Sequence, residues 1–375
     1  MSLTILGIGI ASPQHGIAQR DAAVLAGTLA GSGATRERTL SAIYRQTQID
    51  QRGSVLLEPP GDQPFLQSFF PPALDADDAG PTTAERMARY AAEAGPLAIT
   101  AAERALARAD VMATQITHLV TCSCTGFATP GVDLELCRVL NLPADVARTH
   151  IGFMGCHGAF NALRAADAFA STRPDAVVLV VCVELCSLHF QYGAAADSIV
   201  ANSIFADGAG AVVGRSATAA DCRSWRLVDQ FSAVVPDTAD QMGWTIGDHG
   251  FAMTLSAEVP GSIAGPLPGL IDKILARRSL SRTDVTHWAV HPGGPRVLSA
   301  VEAALGLSPA CLAASRGVLA EHGNMSSSTI LFILERLFAA EGQPSRRNTA
   351  AAETCMAMAF GPGLTAELAL FVAGD

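Results

Sequence analysis

The sequence predicts an α/β fold made of two similar halves. Short apolar runs rich in β-branched residues alternate with runs of helical period, and this alternation occurs twice along the 375-residue chain. The clearest strand is Asp175–Val183, since a continuous apolar run is typical of a strand covered on both faces. We place the two halves at residues 1–222 and 223–375 on this alternation alone, because the sequence contains no convincing residue-level repeat.

The elements of the first half follow from apolar periodicity and from the residues that flank each run. Thr82-Thr-Ala-Glu85 fits a capping box that starts a helix, and Gly95-Pro96 is expected to end that helix near Ala94. Glu58–Pro81 carries many prolines and aspartates and predicts a surface excursion. Strands are predicted at Thr4–Ile10, His118–Cys122, Asp175–Val183 and Ala209–Val213, and helices at Ile17–Ala30, Arg36–Tyr44, Thr82–Ala94, Thr100–Ala109 and Leu134–Leu140.

The second half shows the same alternation. Three serines at 326–328 are candidate caps of a helix, and Gly361-Pro-Gly363 is predicted to join two strands. Strands are predicted at Arg226–Val235, Val285–Val290, Cys355–Phe360 and Thr365–Val372, and helices at Pro266–Leu275, Arg296–Leu305 and Ser326–Phe338.

The composition argues against several classes of protein. A formal net charge of −10, with Lys273 as the only lysine, argues against binding to nucleic acid or to an anionic membrane. No apolar stretch approaches the roughly 20 residues of a membrane helix, and the region after Met1 lacks the pattern of a secretory signal. The 9 scattered cysteines fit reduced thiols, so we expect a cytoplasmic protein without a membrane span.

Cys156 is the strongest candidate nucleophile. It follows Gly152-Phe-Met-Gly155 and precedes a helix predicted from the apolar spacing of Phe160, Leu163 and Ala166. A cysteine at the start of a helix faces unpaired backbone N–H groups, and this environment favours the thiolate. The flanking glycines let a substrate carbonyl approach the backbone closely. The alternative is a small buried hydrophobic residue, which is the usual role of a free cysteine.

Two further residues are candidates to complete a site with Cys156. His291 ends a predicted strand and enters the turn Pro292-Gly-Gly-Pro295, and functional groups are common at strand ends in α/β proteins. Asn324 lies in His322-Gly-Asn-Met325, and its amide is a neutral donor suited to an oxyanion. Each has an ordinary alternative, because a lone histidine is often structural and a Gly-Asn pair is often a turn.

Four motifs, in this order, resemble the signatures of type III polyketide synthases, the chalcone and stilbene synthase group. They are Gly152-Phe-Met-Gly-Cys-His-Gly-Ala159, His291-Pro-Gly-Gly-Pro295, Gly323-Asn-Met-Ser-Ser327 and Phe360-Gly-Pro-Gly363. The resemblance implies a thiolase fold with a layered α-β-α-β-α core and a homodimer. It also implies an enzyme that needs no metal or organic cofactor and that extends acyl-CoA starters with malonyl-CoA.

The same resemblance implies roles for the three candidates. Cys156 would carry the growing chain as a thioester, while His291 and Asn324 would bind the malonyl thioester oxygen during decarboxylation. The physics agrees, because loss of CO2 leaves a carbanion and donors aimed at the thioester oxygen stabilise that charge.

Cavity and CoA positions also follow from the resemblance. Phe205 matches one gatekeeper aromatic, and Met253 stands where the second would be. Thr129 falls where a residue would enter the neighbouring subunit's cavity. The other implied cavity residues are Cys124, Thr125, His189, Ser326, Phe360, Gly361, Pro362 and Gly363, and the implied CoA-binding residues are Arg52, Gly293 and Gly294.

The resemblance and the small cavity residues together predict an aliphatic acyl-CoA starter and an alkylpyrone or alkylresorcinol product. Met253 is unbranched and adaptable, and Cys124 and Thr125 are small enough to open a narrow channel beside Cys156.

Three alternatives remain open. One is a ketoacyl-ACP synthase III-like enzyme, although such enzymes typically carry Gln-Ala-Asn where this chain has Pro292-Gly-Gly. A second is a non-catalytic protein of the same fold. The third is a zinc site at the cysteine pairs 122/124 and 182/186, but their strand-like surroundings favour core packing, so no metal is predicted.

Overall fold

Nine strands form one continuous sheet through the middle of the protein. The computed structural model describes residues 2–30, 34–59, 66–193, 195–217, 224–340 and 353–373. Its strands are β1 Leu3–Ala11, β2 Gly16–Ala18, β3 Gln51–Gly53, β4 His118–Ser123, β5 Ala147–Gly152, β6 Val177–Leu185, β7 Asp207–Ser216, β8 Arg226–Val234, β9 Met242–Gly247, β10 Gly250–Leu255, β11 His287–Val290, β12 Glu353–Gly361 and β13 Thr365–Ala373. Its helices are α1 Gln19–Leu29, α2 Ala34–Gln46, α3 Thr83–Ala109, α4 Val132–Val139, α5 Gly158–Thr172, α6 Ala196–Ile204, α7 Val259–Ala264, α8 Leu267–Ala276, α9 Pro295–Leu305, α10 Ala313–His322 and α11 Thr329–Ala340.

The same pairing scheme occurs twice in the large sheet, whose order is β11-β12-β13-β8-β1-β7-β6-β4-β5. From the centre outwards, β1 is antiparallel to β7, β7 is antiparallel to β6, and β6 is parallel to β4. On the other side, β8 is antiparallel to β13, β13 is antiparallel to β12, and β12 is parallel to β11. The predicted α/β fold of two similar halves is confirmed by this topology. The predicted boundary between residues 222 and 223 lies outside the described residues and stays a prediction.

Alternate side chains of the strands pack into different layers, as period-2 strands require. On β6, Val178 and Val180 pack with helices α5 and α11 in a central layer, while Leu179 and Val181 pack with α3 on the outside. On β12, the alternate residues face the same central layer or an outer layer formed by α8 and α9. The result is the layered α-β-α-β-α core that the family resemblance implies.

The helix α3 corrects one prediction, since it continues without a break through Gly95-Pro96. Its start is as predicted, because the Thr82 side chain accepts the backbone N–H of Glu85 in a capping box. The helix packs so tightly on β1 that a Cβ at Gly9 would lie 2.2 Å from the carbonyl oxygen of Ala101. This packing outweighs the cost of about 3 kcal/mol that a proline imposes on a helix interior.

Several elements have no counterpart among the predictions. They are the short strands β2 and β3, the edge strand β5, the hairpin β9–β10, and the helices α6, α7 and α10. The strand β5 reads as Ala-Arg-Thr-His-Ile-Gly, and its residues are exposed or only partly buried, so no apolar period marks it.

Candidate active site

Cys156 lies in a short 3-10 turn, Gly155–His157, between β5 and α5. The chain reaches the turn through two residues in the left-handed region, Phe153 at φ 58° and Gly155 at φ 70°. Glycine at 155 is also needed for space, because a Cβ there would lie 2.4 Å from Cδ of Pro362. The structure thus places a buried cysteine, 7% exposed, at the N-terminal end of α5.

His291 follows β11 and is fixed through its backbone, whose N–H donates to the carbonyl oxygen of Met358 at 2.9 Å. The side chain is 1% exposed. Neither ring nitrogen has a hydrogen-bond partner within the described part of the chain. An unpaired buried polar group costs about 1–3 kcal/mol, so such groups are rare in folded proteins and call for an explanation. Both nitrogens of His291 are available to a bound substrate.

Asn324 is held on three sides. Its backbone N–H donates to the carbonyl oxygen of Ile204 at 2.9 Å, and its own carbonyl oxygen accepts the N–H of Ala206 at 2.8 Å. Its side-chain Oδ1 accepts the N–H of Ser326 at 2.8 Å. Because the amide oxygen is used in this way, Nδ2 is left as the donor, and the Asn324 side chain acts to lower the pKa of the Cys156 thiol.

These three residues line one cavity of about 20 Å³. Phe205, Met253, Gly293 and Phe360 line the same cavity, together with the apolar residues Ile204, Met242, Leu255, Ile263 and Val297. A space of this size holds about one water molecule, so the cavity has room for a single small group such as a carbonyl. The structure therefore brings seven of the predicted site residues to one enclosed point.

Burial sets the protonation state of the candidate pair. It raises the pKa of the Cys156 thiol to about 12, and hydrogen bonds from Ser326 and Asn324 oppose that rise. Burial also lowers the pKa of His291 to about 3. At neutral pH the pair is a thiol and a neutral imidazole, and a neutral imidazole can accept the thiol proton. The thiolate expected at the start of a helix is therefore not the resting form of Cys156. The cost of burying a charged sulfur outweighs the stabilisation that the helix N-terminus gives to the thiolate.

Two family models match almost the whole chain. The model "Chalcone and stilbene synthases, N-terminal domain" matches residues 2–217, and "Chalcone and stilbene synthases, C-terminal domain" matches residues 226–373. The chain belongs to the chalcone and stilbene synthase family. It is accordingly a type III polyketide synthase, an acyltransferase that performs decarboxylative condensation.

Individual relatives agree with this assignment. The synthase is 32% identical over 370 residues to the "Alpha-pyrone synthesis polyketide synthase-like Pks18" of Mycobacterium tuberculosis, covering 98% of this chain and 90% of the relative. The crystal structure of PKS-I from the brown alga Ectocarpus siliculosus superposes with a TM-score of 0.92 and 32% identity, covering 99% of this chain and 98% of the other. The type III polyketide synthase domain of Steely1 from Dictyostelium superposes with a TM-score of 0.86 and 26% identity, and both chains are fully covered.

A second cavity of about 100 Å³, here called the side chamber, adjoins the first. Phe205 and Met253 line both cavities and so separate them. Apolar side chains of α1 form part of the side chamber wall, and residues of α6, of the β9–β10 hairpin and of the segments 52–57, 67–70 and 186–191 form most of the rest. Its main lining residues are Ala22, Leu25, Ala26, Leu29, Phe70, His189, Phe190, Ala201, Trp244 and Phe251. The α1 residues were not predicted as site residues, because the apolar face of a short helix carries no sign of whether it covers a core or a cavity.

Cys124 and Thr125 do not line either cavity. The Cys124 sulfur accepts the N–H of Gly155 at 3.0 Å, and Thr125 donates to the carboxylate of Glu184 at 2.8 Å. Glu184 also accepts the N–H of Cys124 at 2.9 Å and the hydroxyl of Ser327 at 2.5 Å. The channel predicted beside these two residues is not part of either cavity, because both residues belong to a buried polar network. Glu184 was not among the predicted site residues, although a single acidic residue at the end of an apolar strand is a sequence feature that could have indicated it.

Arg52 is held by backbone carbonyl groups. Its guanidinium donates to the carbonyl oxygens of Asn202 at 2.8 Å and Phe205 at 2.6 Å, against the ring of Tyr44. A guanidinium held in this way fixes the Phe205 backbone. Arg52 also lines the side chamber, and its contact with CoA stays a prediction. Gly293 lines the candidate active site, and Gly294 precedes the first turn of α9.

The other predicted cavity residues have distinct surroundings. His189 is buried and neutral, since Nε2 donates to the carbonyl oxygen of Thr125 at 2.6 Å and Nδ1 accepts the N–H of Phe251 at 3.1 Å. Burial lowers the pKa of His189 to about 4. Thr129 is exposed on the single chain. Ser326 is buried beside Asn324 in the left-handed region, at φ 48°, and the turn Gly361–Gly363 packs on the residues that flank Cys156.

Two further observations on the described residues concern metal binding and membrane-spanning helices. No group of three or more histidine, cysteine, aspartate or glutamate side chains there is arranged to hold a metal ion. None of the helices in the same residues has the length and apolarity needed to cross a membrane.

Proposed function

We propose that this synthase loads an acyl group from acyl-CoA onto Cys156 and extends it with malonyl-CoA through His291 and Asn324. The observation that carries this proposal is the buried His291, whose two ring nitrogens have no partner among the described residues. It lines the same cavity as Cys156 and Asn324, and the Asn324 amide oxygen is already bonded to Ser326. An acceptor for the thiol proton and two donors for an oxyanion are thus placed together.

In the loading step, neutral His291 takes the thiol proton and the Cys156 sulfur attacks the acyl carbonyl carbon. The tetrahedral oxyanion collapses, the bond to the CoA sulfur breaks, and CoA leaves as a thiol with the proton from His291. Hydrogen bonds from Asn324 and Ser326 stabilise the sulfur anion that forms in between. Proton transfer within a site that excludes water avoids exposing the charged pair to solvent.

In the extension step, the malonyl thioester oxygen lies against Nδ2 of Asn324 and the N–H of His291. The bond to the carboxylate carbon breaks, CO2 leaves, and its electron pair forms an enolate on the thioester. The two donors stabilise the enolate oxygen. The enolate carbon then attacks the acyl carbonyl on Cys156, and the cysteine sulfur departs, so the chain is longer by two carbons.

The test separates the two steps. Wild-type synthase incubated with an acyl-CoA should show an acyl mass on the tryptic peptide of Cys156 only, and malonyl-CoA should release CO2. Cys156→Ala should form no polyketide but should keep part of the CO2 release, because both donors remain. Acylation of Cys122 or Cys355 with Cys156 unmodified would refute the assignment.

For the starter, we propose a long aliphatic acyl group whose tail lies in the side chamber. The chamber wall is mostly apolar, and each buried methylene gains about 0.8 kcal/mol. The two cavities meet at Phe205 and Met253, so an acyl chain on Cys156 would pass between these two side chains to reach the chamber. An α-pyrone product agrees with the printed name of the Mycobacterium tuberculosis relative.

Ala26→Phe tests the starter proposal, because residue 26 lines the chamber and phenylalanine would fill part of it. The specificity constant should fall for long acyl-CoA starters and stay near wild type for short ones. Val24→Phe is the matched control, since residue 24 lies on the same helix but is 62% exposed. A preference for a bulky aromatic starter, or equal loss in both variants, would refute the proposal.

We further propose a homodimer that joins the outer edge of β5. Within the described residues, β5 is the last strand of the sheet, and one of its edges pairs with no strand. Phe127 and Phe153 are 55% and 52% exposed beside its end, with ring centroids 6.2 Å apart. An unpaired edge next to exposed aromatics is typical of a covered surface. Thr129 lies in the same loop as Phe127, which agrees with a residue that reaches the neighbouring subunit.

The proposed chemistry uses only the two CoA thioesters and side chains of this chain, so we propose that no metal or organic cofactor is needed. Dialysis against a chelator should leave the rate unchanged. The eight described cysteines are free thiols, which supports our proposal of a cytoplasmic location. Gly293 and Gly294, beside the candidate active site, remain our proposal for contacts with the CoA arm.

A further inference from the structure

His157, the residue after Cys156, is hydrogen-bonded on both sides of its ring. Nδ1 lies 2.9 Å from Oδ1 of Asn161, one turn along α5, and Nε2 lies 2.5 Å from Oγ1 of Thr365 at the start of β13. The side chain is 3% exposed. The first contact is within one helix, whereas the second joins the Cys156 turn to a strand of the other half of the protein.

The pattern of donors fixes a neutral ring. Since the Asn161 oxygen can only accept, Nδ1 of His157 carries the proton. The Thr365 hydroxyl lies 2.5 Å from Nε2 and 3.2 Å from the carbonyl oxygen of Pro362, so the shorter contact makes Nε2 the acceptor of its proton. Burial is the main reason why the pKa of His157 is lowered, which agrees with this neutral form. The imidazole therefore serves as a bridge with one donor and one acceptor.

Steric contacts reinforce the bridge. A Cβ at Gly361 would lie 2.3 Å from Cδ2 of His157, and a Cβ at Gly155 would lie 2.4 Å from Cδ of Pro362. The residues on both sides of Cys156 thus rest directly on the turn Gly361–Gly363, which joins β12 to β13.

The same hairpin also holds the histidine of the candidate site. The backbone N–H of His291 donates to the carbonyl oxygen of Met358 in β12, and Phe360 of that strand lines the cavity with Cys156. The hairpin therefore touches the nucleophile turn at one end and the His291 loop along its side. The link through His157 and Thr365 is a polar connection between these two parts, and Arg164 of α5 pairs with Glu367 farther along β13.

On the basis of the proposed function, we propose that His157 is a positioning residue that fixes Cys156 relative to His291 through Thr365. A displacement of about 1 Å in a reacting group costs up to 10²-fold in rate. The loading step needs Cys156 and His291 in register, whereas decarboxylation of malonyl-CoA needs only His291 and Asn324. Loss of the bridge should therefore separate the two rates.

Two amide variants divide the bridge into its halves. His157→Asn keeps a donor near the Nδ1 position and loses the contact with Thr365, while His157→Gln reaches the Nε2 position and keeps it. We expect acyl transfer to Cys156 to fall roughly 10-fold to 100-fold in His157→Asn. We expect His157→Gln to stay within a few-fold of wild type, and the decarboxylation rate to change less than about 3-fold in both variants.

Thr365→Val is the independent check, because it removes the bridge without touching the helix that carries Cys156. It should slow acyl transfer in wild type and in His157→Gln, but add nothing to His157→Asn. Equal losses in loading and decarboxylation would show a general structural role, and wild-type loading in both His157→Asn and Thr365→Val would refute the proposal. If wild-type synthase itself fails to acylate Cys156, the proposed function fails instead, so the two outcomes are distinct.

Discussion

Glu184 offers a direct test of the electrostatics around the candidate site. Its carboxylate is buried at the end of β6, where one oxygen accepts the N–H of Cys124 and the hydroxyl of Thr125. The other oxygen accepts only from the Ser327 hydroxyl. Glu184→Gln fits this arrangement, because the amide oxygen can replace the first oxygen and the NH2 group can donate to Ser327, whose hydroxyl also accepts.

The magnitude follows from the pKa. Burial raises the pKa of Glu184 from 4.5 to about 7. Between these two values the unfolded chain loses the proton while the folded chain keeps it, so the free energy of unfolding falls as pH rises. The complete shift corresponds to about 3 kcal/mol, of which about 2 kcal/mol falls between pH 5 and pH 8. Well below pH 4.5 the carboxyl group is protonated in the folded and in the unfolded chain, so it makes no pH-dependent contribution to the free energy of unfolding.

Urea denaturation of wild type and Glu184→Gln at several pH values measures the effect. Both proteins are compared at one protein concentration, because the proposed dimer would make apparent stability depend on it. The difference in unfolding free energy, variant minus wild type, should grow by about 2 kcal/mol from pH 5 to pH 8. Contributions of other titrating groups cancel in this difference. A difference that is independent of pH would refute the argument that burial of this carboxylate controls its protonation.

Three further predictions concern other parts of the protein. Asn324→Ala should lower malonyl-CoA decarboxylation by about 10²–10³-fold, the scale for one lost oxyanion donor, and a few-fold change would show only a turn residue. Gly9→Ala should destabilise the fold by several °C in thermal melts, because its Cβ would lie 2.2 Å from the Ala101 carbonyl oxygen. Phe153→Asp should shift sedimentation towards the monomer at micromolar concentration, whereas Met112→Asp, changed at a residue 67% exposed elsewhere, should not.

The fold was predictable where local pattern and tertiary packing agree. The apolar run at β6 and the capping box at Thr82 both predict what the structure contains. Prediction failed where a distant contact decides, as at Pro96, where packing of α3 on β1 keeps the helix whole. The edge strand β5 could not be predicted, because its pairing with β4, and not a pattern in its own sequence, makes it a strand.

The candidate site was predictable at its centre and not at its margins. Cys156, His291 and Asn324 lie in short motifs, and the glycines of these motifs predict the tight turns that position them. The roles of Cys124 and Arg52 depend on which way each side chain faces, and motif position does not contain that information. The bridge from His157 to Thr365 spans 208 residues of sequence, so no local pattern could have indicated it.

The backbone of Asn324 has a consequence for how this synthase can change. Asn324 hydrogen-bonds on both sides of Phe205, to Ile204 and Ala206, so the oxyanion donor and the gatekeeper share one stretch of backbone. A substitution that moves Phe205 to admit a different starter therefore also shifts the group that stabilises the enolate. Substrate range and turnover are mechanically coupled at this point. Variants selected for a wider entrance should lose decarboxylation rate unless the change is confined to the Phe205 side chain.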